Sequence, residues 1–303
     1  MTINLNELTK EFGKNLILNE KLSKYSWFNL GGPAEIFFRP EDKDQLKKFI
    51  KKIKNYSKIN FIGAGSNILF RDGGYKGIII KLGSKFAFAE LIEENIIDVG
   101  AATLDKTLSS FALKNSLGGF EYLSCIPGSI GGAIMMNSGC YDNEISKNLI
   151  SINVIDLEGN EKEIKKENIE FFYRGNNLSK DLLIISAKFK GMPTSKDKIQ
   201  NTVNAYTEQK KLSQPSKIKT CGSTFKNPPN MKAWELINKS GCENLSFGKA
   251  SISKKHNNFF INEGGATSAD IEKLITLVQK KVFEKFKVNL DLELKLIGDS
   301  LNE

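Results

Sequence analysis

Ile59-Asn60-Phe61-Ile62-Gly63-Ala64-Gly65-Ser66-Asn67-Ile68-Leu69-Phe70 is the stretch on which the fold turns. Its apolar start reads as a short strand. The glycines that follow let backbone N–H groups approach a phosphate closely, and successive N–H groups make an anion-binding concavity. The doubly wound dinucleotide fold would need Gly or Ala at position 68 and a helix directly after it. Position 68 is Ile, and LFRDGG (69–74) does not open a helix. The doubly wound reading therefore fails.

A second small-residue cluster lies further on: Ile126-Pro127-Gly128-Ser129-Ile130-Gly131-Gly132-Ala133, continuing to Asn137 and Gly139. Each cluster alone reads equally as a tight turn. Together, with Gly63 and Gly128 separated by 128 − 63 = 65 positions, they suit two loops clamping a large dinucleotide.

The surrounding pattern is α+β. A helix is expected over 41–54, with Leu46, Phe49, Ile50 and Ile53 on its apolar face. Thr103 is expected to cap a helix whose apolar face is Leu104, Leu108, Phe111 and Ala112. Strands are expected at 78–82, 150–157 and 182–189, and a last one at 288–297. Thr267 and Asp270 have capping-box spacing ahead of Ile271, Leu274, Ile275, Val278 and Val282.

Composition bounds the function. The chain has 303 residues, 40% apolar and 26% charged, which excludes wholesale disorder and a disulfide miniprotein. No apolar run suits a membrane-spanning helix, and the mixed polar and acidic N-terminus lacks a secretory signal, so a cytoplasmic protein is expected. Net charge is 44 − 35 = +9. That admits nucleic acid or anionic small molecules, but the basic residues are spread out and Arg is rare, so no nucleic-acid partner is expected. The single histidine, His256, excludes multi-His metal sites, and no metal is expected. Cys125, Cys140, Cys221 and Cys242 lack C-x-x-C spacing and read as reduced thiols, Cys125 as a packing residue.

Five segments in register resemble the MurB family of UDP-N-acetylenolpyruvoylglucosamine reductases. They are NLGGPA (29–34) with GAGSNILF (63–70), IPGSIGGAIMMNSG (126–139), YRGNN (173–177), GSTFKNP (222–228) with KHNNFFIN (255–262), and LDLELKLIG (290–298). The resemblance implies an FAD-binding fold of the vanillyl-alcohol oxidase type with a separate α+β substrate-binding domain. It implies subdomains at 1–82 (with 290–303) and 83–203, and a substrate domain at 204–289. It further implies non-covalent FAD, NADPH as hydride donor, and reduction of UDP-N-acetylglucosamine enolpyruvate to UDP-N-acetylmuramate in cell-wall precursor synthesis. A monomer acting on small molecules, without membrane, is expected. Two rivals stand beside this: another FAD-linked oxidoreductase of the same superfamily, and a non-catalytic nucleotide- or RNA-binding protein.

By the resemblance, Gly63, Ala64, Gly65, Ser66 and Asn67, with Ile126, Pro127, Gly128, Ser129, Gly132, Ala133 and Asn137, embrace the FAD. Arg174 meets the substrate carboxylate, where a guanidinium fork binds two oxygens and keeps its charge. Ser223 is the proton donor, and Glu293 supports the developing enolate, a role that needs a protonated carboxyl. Tyr173, Lys226, Asn227 and His256 are expected to contact substrate. Arg174 and Ser223 are 223 − 174 = 49 positions apart, too few for the tyrosine-bearing substrate loop, so the subclass without that loop is the nearer match. The chain departs from the family at Leu292, often Pro, at Lys295, often Arg, and at Thr220-Cys221, where Ala or Gly is common.

Overall fold

The computed structural model describes residues 5–301 except 55 and 57. The ends of the expected subdomains, 1–4 and 302–303, lie outside the described residues. By its contacts the chain divides into two compact units. The first is Met1–Ile17, Phe37–Ala64 and Gly77–Lys210; the second is Leu18–Ile36, Gly65–Lys76 and Lys211–Glu303. The expected boundary at 203/204 falls inside the helix Lys196–Ser213, whose continuous backbone ladder moves the division to its last turn. The expected separation of 290–303 from 204–289 is also absent from this division, because both stretches pack in the second unit.

In the first unit a five-stranded antiparallel sheet runs in the order Glu161–Lys165, Leu149–Ile155, Leu183–Lys190, Ile96–Gly100, Ala89–Glu93. Ile97, Val99, Ile152, Val154, Ile184 and Phe189 bury one face, with Leu108, Ala112, Ile130 and Ile134 from helices packed on it. The helix expected at 41–54 spans Lys43–Ile53, capped by the Asp42 carboxylate accepting from Gln45 N at 2.9 Å. Its Phe49 stacks on Phe38 with centroids 3.8 Å apart, and Phe12 closes the cluster edge-on at 5.2 Å. Such aromatic pairs add about 0.5–1.5 kcal/mol each beyond the area they bury.

Thr103 does not cap the next helix. Its hydroxyl donates to Phe88 O at 2.8 Å, the helix is Asp105–Lys114, and Leu104 stands exposed at the cap position. A backbone carbonyl within reach outcompeted the helix end.

The second unit is built round the helix Ser268–Phe286. Thr267 and Asp270 form the expected reciprocal capping box, and the expected face of Ile271, Leu274, Ile275, Val278 and Val282 is buried. Burying such aliphatic side chains is worth roughly 1.5–3 kcal/mol apiece. They pack with Phe225, Ile237, Ile252, Phe260 and Leu290. The last strand is much shorter than expected. Only Lys295–Ile297 is regular, paired in parallel with Ile68–Phe70, while Leu292 makes a single antiparallel bridge to Phe225.

Candidate active site

In the first unit, strand Ile59–Ile62 runs parallel to Tyr75–Lys81, with Ile62 opposite Lys81, and delivers the chain to Gly63. A Cβ on Gly63 would lie 2.5 Å from Ser129 Oγ, so any side chain there would force that hydroxyl to move. Gly132 also faces that hydroxyl, at 3.7 Å from its would-be Cβ. Ser129 is 4% exposed and its hydroxyl has no partner among the described residues. A buried orphan hydroxyl is costly unless a ligand or water satisfies it. Two bare glycine faces and a waiting donor therefore fit the FAD expected at these loops. Gly128 O accepts from Asp105 N at 3.2 Å, which ties the loop to the start of the earlier helix Asp105–Lys114. Ile126 is half-buried and Pro127 exposed, whereas Ala133 points into the hydrophobic core.

Asn137 is spent on the protein itself. Its amide donates to Phe172 O at 3.2 Å and accepts from Ser146 N at 3.4 Å. Through Phe172 it steadies the two-residue hairpin between Phe171–Phe172 and Gly175–Asn176, at whose tip sit Tyr173 and Arg174. Arg174 is left-handed at φ +59°, and a non-glycine residue held there signals a constrained position. Its guanidinium donates to Gly139 O at 3.1 Å and lies 4.9 Å from the Tyr173 ring centre. Asn176, which the sequence reading left without a role, donates to Ile134 O at 2.8 Å and pins the hairpin to the helix after Ser129.

In the second unit, the turn residues Gly65, Ser66 and Asn67 are clasped by distant segments. Gly65 is at φ +72° and its O accepts from Trp27 N at 3.2 Å. Asn67 donates its amide to Glu293 O at 3.0 Å, and its own carbonyl accepts from Lys295 N at 3.0 Å. Cys221 donates to Ile68 O at 3.2 Å, and burial pushes its thiol up to about 11.

Ser223 bridges antiparallel to Phe259. The Asn258 side chain, also unforeseen, accepts from Phe225 N at 2.9 Å and donates to Phe225 O at 2.8 Å, so it holds both faces of that peptide position. On the other side, Glu293 N donates to Thr224 O at 2.9 Å and Lys226 N to Asp291 O at 2.8 Å. Ser223, Lys226 and Glu293 thus stand on adjoining backbone. The Thr224 hydroxyl beside them is buried and unpartnered among the described residues. The Asn227 amide oxygen accepts from Ala233 N at 3.0 Å, starting the helix Ala233–Lys239. His256 packs 4.7 Å from the Phe259 ring, its Nδ1 accepts from Asn258 N at 3.3 Å, and burial holds the imidazole below its ordinary value. That favours a neutral ring carrying its proton on Nε2.

Comparison with known proteins agrees with these segments. A family model for the UDP-N-acetylenolpyruvoylglucosamine reductase C-terminal domain matches residues 214–297, and one for an FAD binding domain matches 34–165. The UDP-N-acetylenolpyruvoylglucosamine reductase of Pelagibacter ubique is 42% identical over 97% of this chain and 98% of its own length. That of Rickettsia akari is 44% identical over 91% and 94%. The crystal structure of the Thermus caldophilus enzyme superposes with a TM-score of 0.81 at 30% identity, covering 93% of this chain and 98% of that one. With the expected α+β, FAD-binding architecture in place, the chain belongs to the UDP-N-acetylenolpyruvoylglucosamine reductase (MurB) family.

Proposed function

We propose that the protein reduces the enolpyruvyl ether of UDP-N-acetylglucosamine to the lactyl ether UDP-N-acetylmuramate, in the cytoplasm and as a monomer, for peptidoglycan synthesis. NADPH and one proton are consumed, and NADP⁺ leaves. The chemistry that non-covalent FAD supplies when bound is hydride exchange between the nicotinamide and the vinyl terminus of the substrate. Residues 1–82 with 290–303, and 83–203, form the cofactor-binding subdomains, and 204–289 the substrate domain, with Tyr173, Arg174 and Glu293 reaching the substrate from the former.

The protein's own residues handle the charge and the proton. Hydride arrival at the vinyl terminus places negative charge on the neighbouring carbon and, by delocalisation, on its carboxylate. Arg174 binds that carboxylate through its fork. Ser223 gives its hydroxyl proton to the carbon, and protonated Glu293 donates to the enolate oxygen. Tyr173, Lys226, Asn227 and His256 contact the remainder of the sugar nucleotide, a neutral His256 as a hydrogen-bond partner rather than an acid. The strand Leu183–Lys190 and the helix Lys196–Ser213 occupy much of the span between Arg174 and Ser223, which supports the subclass without the tyrosine loop.

One observation carries the reading. Ser223 and Glu293 are 293 − 223 = 70 positions apart, yet Thr224 O accepts from both Glu293 N, at 2.9 Å, and Leu294 N, at 3.3 Å. A proton donor and an enolate-stabilising acid need that fixed proximity. Ser223→Ala tests it by stopped-flow absorbance. Bleaching of the flavin by NADPH should persist, while its recovery on adding enolpyruvyl substrate should slow by about 10²–10⁴-fold. Ser223→Cys should regain part of the rate. Recovery at the parent rate in the alanine variant would remove Ser223 from the mechanism.

A further inference from the structure

Lys81 ends the strand beside the cofactor turn and is half-buried. Its ammonium donates to Gly63 O, and no carboxylate among the described residues lies within ion-pair distance. Burial first, and then the repulsion of Arg39, another cation, pull the Lys81 ammonium below its ordinary value. Arg39 has no acidic partner among the described residues either. A partly desolvated cation next to a second cation is unfavourable without a counter-ion. An independent observation points to the same place. The orphaned Ser129 hydroxyl, in a residue 4% exposed, is aimed at Gly63, 2.5 Å from where its Cβ would be.

We propose that Lys81, backed by the charge of Arg39, is the counter-ion for the diphosphate of the dinucleotide bound at Gly63, with the Ser129 hydroxyl donating to the same anion. The proposal rests on the FAD reading and adds the two charges that neither glycine loop supplies. Neutral N–H donors position a diphosphate, but charge-assisted bonds from a partly dry ammonium are roughly twice as strong. The ammonium donates to the Gly63 carbonyl, from which it can swing to the phosphate without moving the strand. The diphosphates of NADPH and of the UDP-sugar have the same chemistry. The position on the cofactor turn selects that of FAD.

The experiment uses full-length protein stripped of flavin, with FAD, riboflavin and UDP as probes. Lys81→Met keeps the aliphatic stem and removes the charge. It should weaken FAD binding by roughly 10–100-fold while changing riboflavin binding less than about twofold. Lys81→Arg should restore most of the FAD affinity. In the flavin-free state the methionine variant should be at least as stable as the parent by urea unfolding, since an unpaired cation has gone, and Lys81→Gln gives a second neutral variant. Parent-like FAD affinity in both neutral variants would overturn the proposal. So would equal loss for FAD and riboflavin, which marks a structural role, or a loss confined to UDP binding by the flavin-loaded protein, which assigns the charge to substrate. Failure of the FAD reading itself looks different: a colourless parent that binds no flavin.

Discussion

Replacing Gly65 by alanine tests how tightly the glycine turn at 63–67 is built, and Gly241→Ala supplies the control. Both glycines are left-handed, at φ +72° and +67°, and both belong to the second unit. Alanine in that region costs about 1–2 kcal/mol wherever it occurs. At Gly241 nothing lies within 4 Å of the new Cβ, so the cost ends there. At Gly65 the Cβ would fall 1.7 Å from Tyr25 O and 2.8 Å from its carbonyl carbon. Ordinary contact begins near 3.4 Å, so backbone must part by about 3.4 − 1.7 = 1.7 Å. Overpacking of this kind adds about 1–3 kcal/mol. The shift also breaks the Trp27 N to Gly65 O bond, worth about another 1 kcal/mol. The expected totals are about 3–6 kcal/mol for Gly65→Ala and 1–2 kcal/mol for Gly241→Ala. Both tryptophans, Trp27 and Trp234, lie in the second unit, so urea unfolding followed by tryptophan fluorescence reports on it. Flavin-free protein keeps ligand linkage out of the comparison. The Gly65→Ala midpoint should drop by roughly 1 M more than the Gly241→Ala midpoint, for a slope of about 1–3 kcal/mol per M. Equal midpoints would refute the close approach of Tyr25.

Arg174→Lys keeps a charge but loses the planar fork, so turnover should fall by roughly 10–10³-fold while reduction of the flavin by NADPH changes much less; equal losses in both halves would make the residue structural. Burial pushes the Asp105 carboxyl up to about 8, and both its oxygens are unpartnered among the described residues. Unfolded Asp titrates near 4, so between about pH 4 and 8 the folded chain holds one proton more than the unfolded chain, and this group lowers stability by up to about 1.4 kcal/mol per pH unit as pH rises. Asp105→Asn should flatten that slope in urea midpoints measured at pH 5 and 7, and an unchanged slope would contradict the buried acid. Acid precipitation of the purified yellow protein should release the flavin to the supernatant, and a coloured pellet would show a covalent link.

Local signals were legible in the sequence where a short-range rule settles them. Ile68 after the glycine turn ruled out a helix, and the chain there is indeed a strand. Thr267, Asp270 and the aliphatic row behind them gave the long C-terminal helix with its buried face. Thr103 misled because its competing acceptor, Phe88 O, becomes a neighbour only after the sheet forms. The final strand was overestimated because alternation over LDLELKL looks regular, yet the ladder partner for 295–297 ends at Ile68. At the candidate site, residue types could be read but not their obligations. Asn137 and Asn67 were both expected on the cofactor, and their amides serve Phe172 and Glu293. Lys81 carried no motif at all; its place beside Gly63 and the orphaned Ser129 hydroxyl, with no carboxylate partner among the described residues, gives it meaning.

The parallel pairing of Ile68–Phe70 with Lys295–Ile297 joins positions 295 − 68 = 227 apart. During synthesis, the glycine turn therefore leaves the ribosome long before the strand that braces it exists. Contacts of such separation form late and slowly, and the first unit, whose sheet closes within residues 89–190, can be ordered well ahead of them. A chain truncated before residue 292 would lose both Glu293 and the strand Lys295–Ile297, and with them the hold on Asn67. Assembly of this contact thus waits on residues 290–297, so a product truncated before them can present a folded first unit while Asn67 lacks its hold.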